Sequence, residues 1–185
     1  MALASGYLTD IIRAFRGYKM LGEASIAQVS DHDLHTLVDP EANSIAIIVK
    51  HLAGNFRSRF TDFLTTDGEK PERDRDHEFV MNERPSRAQI IEWWESGWTV
   101  ALGSLDALTA DDLERTVRIR GEAFAVFEAL NRSVTHAAYH VGQIALLAKH
   151  FAGPDWKSLS IPKGESKAYA RGSFKQGMAP RRPTL

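Results

Sequence analysis

The amino-acid sequence predicts an all-α fold, specifically a four-helix bundle. Four long segments carry apolar residues at the 3.6-residue spacing of an amphipathic helix. Most of the prolines and charge clusters lie between these segments, as expected for the connections of a helical protein. The chain has 185 residues, which fits one domain with a core large enough to be stable without disulfides or a structural metal.

The first two predicted helices begin at residue types that commonly cap helix N-termini. The first is predicted to begin at about Ser5 and to run to Val29. The second is predicted to begin at Asn43 or Ser44 and to run to Leu64, with apolar residues on one face throughout. Both segments are long enough to contribute a full side to a helical core.

The last two predicted helices have clear start and stop signals. The third follows Ser86 and runs to Leu108, and it contains three of the four tryptophans. The fourth is predicted to run from Glu122 to a stop at Gly153 and Pro154, a common C-terminal signal.

The connections are polar, and one of them is long. Residues 65–85 are dense in charge and predict a long surface loop between helices two and three. Thr116–Arg120 alternates polar and apolar residues, which indicates a short extended segment or one arm of a hairpin. Because one strand cannot form a sheet, the predicted class stays all-α. Residues 1–167 are predicted to form the domain, and 168–185 an irregular, flexible C-terminal tail.

The composition excludes several classes of function. The absence of cysteine excludes disulfides, thiolate metal sites and cysteine nucleophiles. The net charge of -1 provides no basic field that would attract nucleic acid or an anionic membrane, so a small-molecule partner is expected. No signal sequence is evident and no window approaches the roughly 20 apolar residues of a membrane span. A cytoplasmic protein is therefore predicted.

Two histidines lie four residues apart in the apolar run THAAYHVGQI. His136 and His140 share one helix face, because residues at this spacing are offset by about 40° and about 6 Å along the axis. Such a pair can bind one metal ion. It is equally compatible with two surface histidines, or with one hydrogen-bonded core histidine and one rim histidine. Zinc proteases of the HExxH type carry Glu after the first His, where this chain has Ala137, so that class is excluded.

His51, in the second helix, is the candidate third ligand. Its neighbours Ile48 and Leu52 belong to a mostly apolar face, so its ring is expected to point into the core or toward its rim. A buried imidazole needs a metal or a hydrogen-bond partner. Three histidines would leave a position open for water or substrate, as in catalytic zinc sites. Asn55 and Gln143 can hydrogen-bond a bound species or orient a ligand ring, although both also fit ordinary amides at the helix rim.

Three stretches of the sequence resemble one family of helical proteins. They are KHLAGNFRSRFTDFLTTDGEKPERDRDHEF, THAAYHVGQIALLAK and SLSIPKGES. They resemble the DinB-like, or YfiT-like, superfamily of metal-binding four-helix bundles, and within it a DinB-related branch known as a domain of unknown function. The similarity extends from the first helix to about Lys167.

The resemblance implies an up-down-down-up bundle, commonly dimeric, in which three histidines hold a divalent metal ion. In this chain those positions correspond to His51, His136 and His140. Characterised members of the superfamily include thiol-dependent S-transferases and isomerases that use bacillithiol or mycothiol. The resemblance is to these bundle proteins and not to the lesion-bypass polymerase of similar name. It therefore implies a homodimer with a small-molecule substrate.

The expected metal is Zn²⁺ or Ni²⁺, held by three neutral imidazoles. The site would keep its 2+ charge and strongly acidify a bound water or thiol. Because the chain has no cysteine, a thiolate would have to come from an external low-molecular-weight thiol. The favoured function is a thiol S-transferase-like activity. The alternatives are a metal-dependent hydrolase and a non-catalytic, stress-related metal-binding protein in which the histidines only join two helices.

Overall fold

The computed structural model describes residues 2–167, so the predicted C-terminal tail, 168–185, lies outside the described residues. The described chain is mostly helical, as predicted. Its long helices are α1 (Ala2–Ile26), α2 (Ile45–Phe60), α3 (Arg87–Asp106) and α4 (Val126–Ala152). A hairpin of β1 (Thr116–Ile119) and β2 (Glu122–Ala125) precedes α4. Short 3₁₀ helices cover Asp33–His35, Asp76–Phe79, Ala110–Glu114 and Gly153–Asp155.

The predicted starts of α2 and α3 are confirmed by their caps. The side chain of Ser44 accepts a hydrogen bond from the Ile47 amide at the start of α2. Ser86 and Gln89 form a reciprocal capping box at the start of α3, which satisfies amides that have no partner inside the helix. α4 ends where predicted, at Gly153, whose φ of 53° lies in the left-handed region that glycine adopts without strain.

The predicted bounds of the first two helices need correction. α1 begins at Ala2, and Ser5 lies inside it with its carbonyl accepting a hydrogen bond from Thr9 Oγ1. Alanine and leucine occupy residues 2–4, and these strong helix formers extend the helix past the expected cap. α1 ends three residues before Val29. α2 stops at Phe60, before Leu64, because the backbone at residue 62 turns left-handed with φ 48°.

The all-α class holds for the four long helices, but a small two-stranded sheet precedes α4, and its first strand is the extended segment predicted at Thr116–Arg120. β1 and β2 pair antiparallel, with Thr116 opposite Ala125 and Ile119 opposite Glu122. The turn residues between the strands have φ values of 56° and 79°, as in the type I′ turns that suit a two-residue hairpin. The carboxylate of Asp67 accepts hydrogen bonds from both turn amides. The predicted start of the fourth helix at Glu122 is therefore four residues early, since strand pairing takes that segment.

The helices enclose an aromatic core and pack closely. α2 lies along α3 and α1 lies along α4, with smaller contacts between α2 and α4 and between α1 and α3. Phe15, Phe56 and Trp98 contact one another at ring-centroid distances of 4.7–6.3 Å. A Cβ atom added at Gly97 of α3 would lie 2.7 Å from the Cα atom of Ala53 in α2. None of the described helices is both long enough and apolar enough to span a lipid bilayer.

Substituting Gly97 by Ala should lower the free energy of unfolding by about 1–3 kcal/mol, because the added methyl group overlaps the backbone of α2. Chemical denaturation of both proteins without added metal would measure the difference. Gly103→Ala, on the same helix, is the matched control, since an added Cβ there meets nothing within 4 Å. It should leave stability unchanged or raise it by up to about 1 kcal/mol. Equal effects of the two substitutions would contradict the close α2–α3 contact.

Candidate metal centre

Three histidines meet where α2 contacts α4. His51 lies within α2, and His136 and His140 lie one turn apart on α4. One ring nitrogen from each residue lies within 4.8 Å of the other two. His51 Nε2 is 3.2 Å from His136 Nε2. The structure thus brings together the three residues that the sequence predicts as metal ligands.

The spacing of the His51 and His136 nitrogens and the burial of the cluster fit a shared ion. Two imidazole nitrogens bound to one zinc ion lie roughly 3–3.5 Å apart, and the His51–His136 separation falls within this range. His51 and His140 are only 3% and 8% exposed, whereas His136 is half-buried. The cluster can therefore hold a metal ion, and its most accessible ligand is His136.

Two of the rings are fixed at the nitrogen that faces away from the cluster. His51 Nδ1 is 2.8 Å from Glu78 Oε2, and His140 Nδ1 is 2.8 Å from Gln143 Oε1. Both partners are oxygen acceptors, so each Nδ1 carries the proton and donates it. In a neutral ring, the lone pair is then on Nε2. Both rings consequently present a metal-binding nitrogen toward the cluster.

The amide residues predicted beside the ligands differ in their contacts. Gln143 hydrogen-bonds the His140 ring, in keeping with the orienting role considered for it. Asn55 is 8% exposed, and within residues 2–167 it makes no side-chain hydrogen bond to the three histidines. An orienting role of Asn55 therefore stays a prediction.

His136 Nδ1 is buried and has no hydrogen-bond partner within residues 2–167.

A buried charged pair stands behind His51, and the sequence interpretation missed it. Glu78 is 7% exposed, and its two oxygens accept hydrogen bonds from Arg73 Nε and Nη2 at 2.8 and 2.9 Å. Arg73 also approaches Glu69, at 3.4 Å, and Glu69 accepts a hydrogen bond from Arg59. The prediction that the α2–α3 loop is wholly a surface loop is therefore wrong at these side chains. A buried carboxylate requires such partners to offset its desolvation.

Two further residues let the loop reach His51. A Cβ atom at Gly54 would lie 2.7 Å from Glu78 Cδ, so the absence of a side chain there admits the carboxylate. Phe79 packs on His51, with ring centroids 4.6 Å apart and an angle of 32° between the planes. A glycine inside a helix permits a close contact but does not by itself predict one, since Gly103 of α3 meets nothing within 4 Å.

The charge states suit metal binding at neutral pH. Burial, together with the neighbouring His140 and His51, lowers the pKa of His136 to about 3. Burial also lowers the pKa of His140 to about 4. Burial raises the pKa of Glu78, but hydrogen bonds from His51 and Arg73 outweigh that effect and leave it below its usual value. His136 and His140 are thus neutral and Glu78 is ionised.

Comparison with known families places most of the chain in one of them. The model of a family described as "Protein of unknown function (DUF1572)" matches residues 2–165. No curated protein matches the chain. The description of the family names no activity, so a functional argument rests on the site.

The metal-free protein should lose stability as the pH falls from about 7 to about 4. His136 and His140 stay neutral in the folded chain down to about pH 3 and about pH 4 respectively, whereas unfolded histidine binds a proton near pH 6.5. Protons then favour the unfolded state throughout that window. Denaturation in the presence of a chelator at pH 7 and pH 5 would measure the loss.

The double variant His136→Gln/His140→Gln should lose about 1–2 kcal/mol less than wild type between those pH values, allowing for solvent screening at half-buried His136. Other titrating groups act equally in both proteins and cancel in the comparison. His150→Gln, an exposed substitution in the last turn of α4, serves as the control and should follow wild type. The same pH dependence in the double variant and wild type would contradict the buried, neutral histidines.

Proposed function

The chain belongs to the family described as protein of unknown function DUF1572, and we propose that it binds one divalent metal ion through His51, His136 and His140. The observation that carries this proposal is the convergence of three ring nitrogens within 4.8 Å. Glu78 and Gln143 hold protons on the outward nitrogens of two rings, so their lone pairs are available to the ion.

We further propose that this family is a branch of the DinB-like superfamily and that its helices form an up-down-down-up bundle. The sequence resemblance supports this placement, as do four long helices in which α1 lies along α4 and α2 along α3. The source of the ligands, one histidine from α2 and two from α4, agrees with it. A homodimeric assembly and a cytoplasmic location belong to the same proposal.

Zinc and nickel are the metals we favour, because neutral imidazole nitrogens suit both ions. A divalent ion bound there would act as a Lewis acid and lower the pKa of a coordinated small molecule. Three protein ligands leave room for such a molecule, and half-buried His136 lies on the accessible side. Arg73 balances the negative charge of Glu78. We therefore propose that the three neutral imidazoles and their surroundings leave the 2+ charge of the bound ion uncompensated.

The reaction we favour is transfer of an external thiol to an electrophile. The chain contains no cysteine, so the sulfur must come from a low-molecular-weight thiol. The thiol loses its proton to solvent and its sulfur forms a bond to the electrophilic carbon. A carbon–halogen bond then breaks with release of halide ion to solvent, or an epoxide carbon–oxygen bond breaks and the resulting alkoxide takes a proton from solvent. The protein contributes to this reaction by positioning the metal ligands and by shielding His51 and His140 from water.

His136→Ala should reduce bound metal from about one equivalent per chain to a small fraction, because two imidazoles hold a divalent ion far more weakly than three. The variant should stay folded, since the aromatic core does not depend on this residue. Elemental analysis of tag-free protein, with circular dichroism as the check on folding, would test both statements. His150→Ala should retain the wild-type metal content; unchanged metal in His136→Ala would refute the site.

A thiol should become more acidic in the presence of metal-loaded protein but not after chelation. Thiolate ultraviolet absorbance at neutral pH measures this directly, and conjugation of the thiol to halide and epoxide electrophiles measures turnover. The His136→Ala variant should behave like the chelated protein. Thiolate absorbance that does not change when the metal is removed would argue against the transferase. Hydrolysis of a substrate without any thiol, abolished by the chelator, would favour the hydrolase.

A further inference from the structure

The carboxylate of Glu78 is held in a single position by contacts from three directions. Arg73 donates to both of its oxygens, and His51 Nδ1 donates to Oε2. Gly54 provides the space on α2 that the carboxylate occupies. The side chain of Arg73 is 5% exposed and that of Glu78 is 9% exposed, so water does not substitute for these contacts.

The short 3₁₀ helix that carries Glu78 is itself fixed to α2. Lys50 Nζ donates hydrogen bonds to the carbonyls of His77 and Val80, each at 2.8 Å. These contacts hold the backbone on both sides of Glu78. Phe79 packs against the face of the His51 ring. The α2–α3 loop thus restrains His51 along its edge and on one of its faces.

We propose that Glu78, clamped by Arg73, is a positioning residue for metal binding. This inference rests on the proposed metal centre. The carboxylate holds the proton on His51 Nδ1, aims Nε2 at the ion, and increases the basicity of that nitrogen. In this role it acts through His51 and does not contact the metal. The α2–α3 loop, which is distant in sequence from α4, is then part of the metal centre.

The test is the zinc affinity of Glu78→Gln, measured by competition with a chromogenic chelator. Loss of the carboxylate should weaken zinc binding by about 10–100-fold. The visible spectrum of the cobalt-substituted variant should also differ from wild type, because a neutral amide makes His51 Nε2 a weaker donor to the ion than a carboxylate does. Asp76→Asn is the matched control: it lies in the same 3₁₀ helix, its side chain is 97% exposed, and it should bind zinc as wild type does.

A second variant separates positioning from folding. Glu78→Gln alone leaves Arg73 buried without its main partner, which can lower the stability of the metal-free protein. Arg73→Gln/Glu78→Gln removes both charges and should recover stability while zinc binding stays about 10–100-fold weaker. Recovery of affinity together with stability would overturn the positioning role.

The two proposals fail in different ways. If wild-type protein binds no metal, the metal centre is wrong and the role of Glu78 falls with it. If wild type binds zinc, and both Glu78 variants bind zinc as tightly as wild type with an unchanged cobalt spectrum, the metal centre is supported and only the positioning role of Glu78 is overturned.

Discussion

The hydrogen bond between His51 and Glu78 joins a candidate ligand to an ionised carboxylate that water does not reach. A buried charge is costly unless it is paired, so this one bond constrains much of its surroundings. Arg73 must be buried beside the carboxylate, and residue 54 of α2 must lack a side chain. The loop must also lie against α2, where Lys50 holds its backbone. One acidic side chain thus constrains where part of a long, charge-rich segment lies.

The α2–α3 loop is also hydrogen-bonded to the hairpin, so the short β-sheet helps to hold this loop in place. Asp67 binds the two amides of the hairpin turn, and the Gly68 amide donates to the carbonyl of Arg118. Ser58 of α2 accepts from the Lys70 amide and donates to the Gly68 carbonyl. Polar contacts therefore run from the hairpin through the loop to the helix that carries His51. The loop is supported along its length by backbone as well as side-chain hydrogen bonds.

Local patterns were sufficient for the helices and for the three histidines, but not for the contacts around them. Helix periodicity and capping residues such as Ser44 and Ser86 act within a few residues, so the sequence predicts them directly. The alternation at Thr116–Arg120 predicted one arm of the hairpin, but the second strand depends on pairing across the turn, and the helical apolar pattern after Glu122 concealed it. Glu78 lies in a run of charges where composition suggests exposure, and only its contact with His51, 27 positions away in sequence, distinguishes it from its neighbours.

The three candidate ligands are not equivalent, because the buried Nδ1 of His136 has no partner within residues 2–167. The rings of His51 and His140 are each tethered at the far nitrogen, whereas the ring of His136 has no such tether in the described part of the chain and approaches His51 through its Nε2 atom. Rotation about its χ2 angle breaks no hydrogen bond at Nδ1 within the described residues. In the proposed centre this half-buried ring is therefore the ligand least constrained by its neighbours.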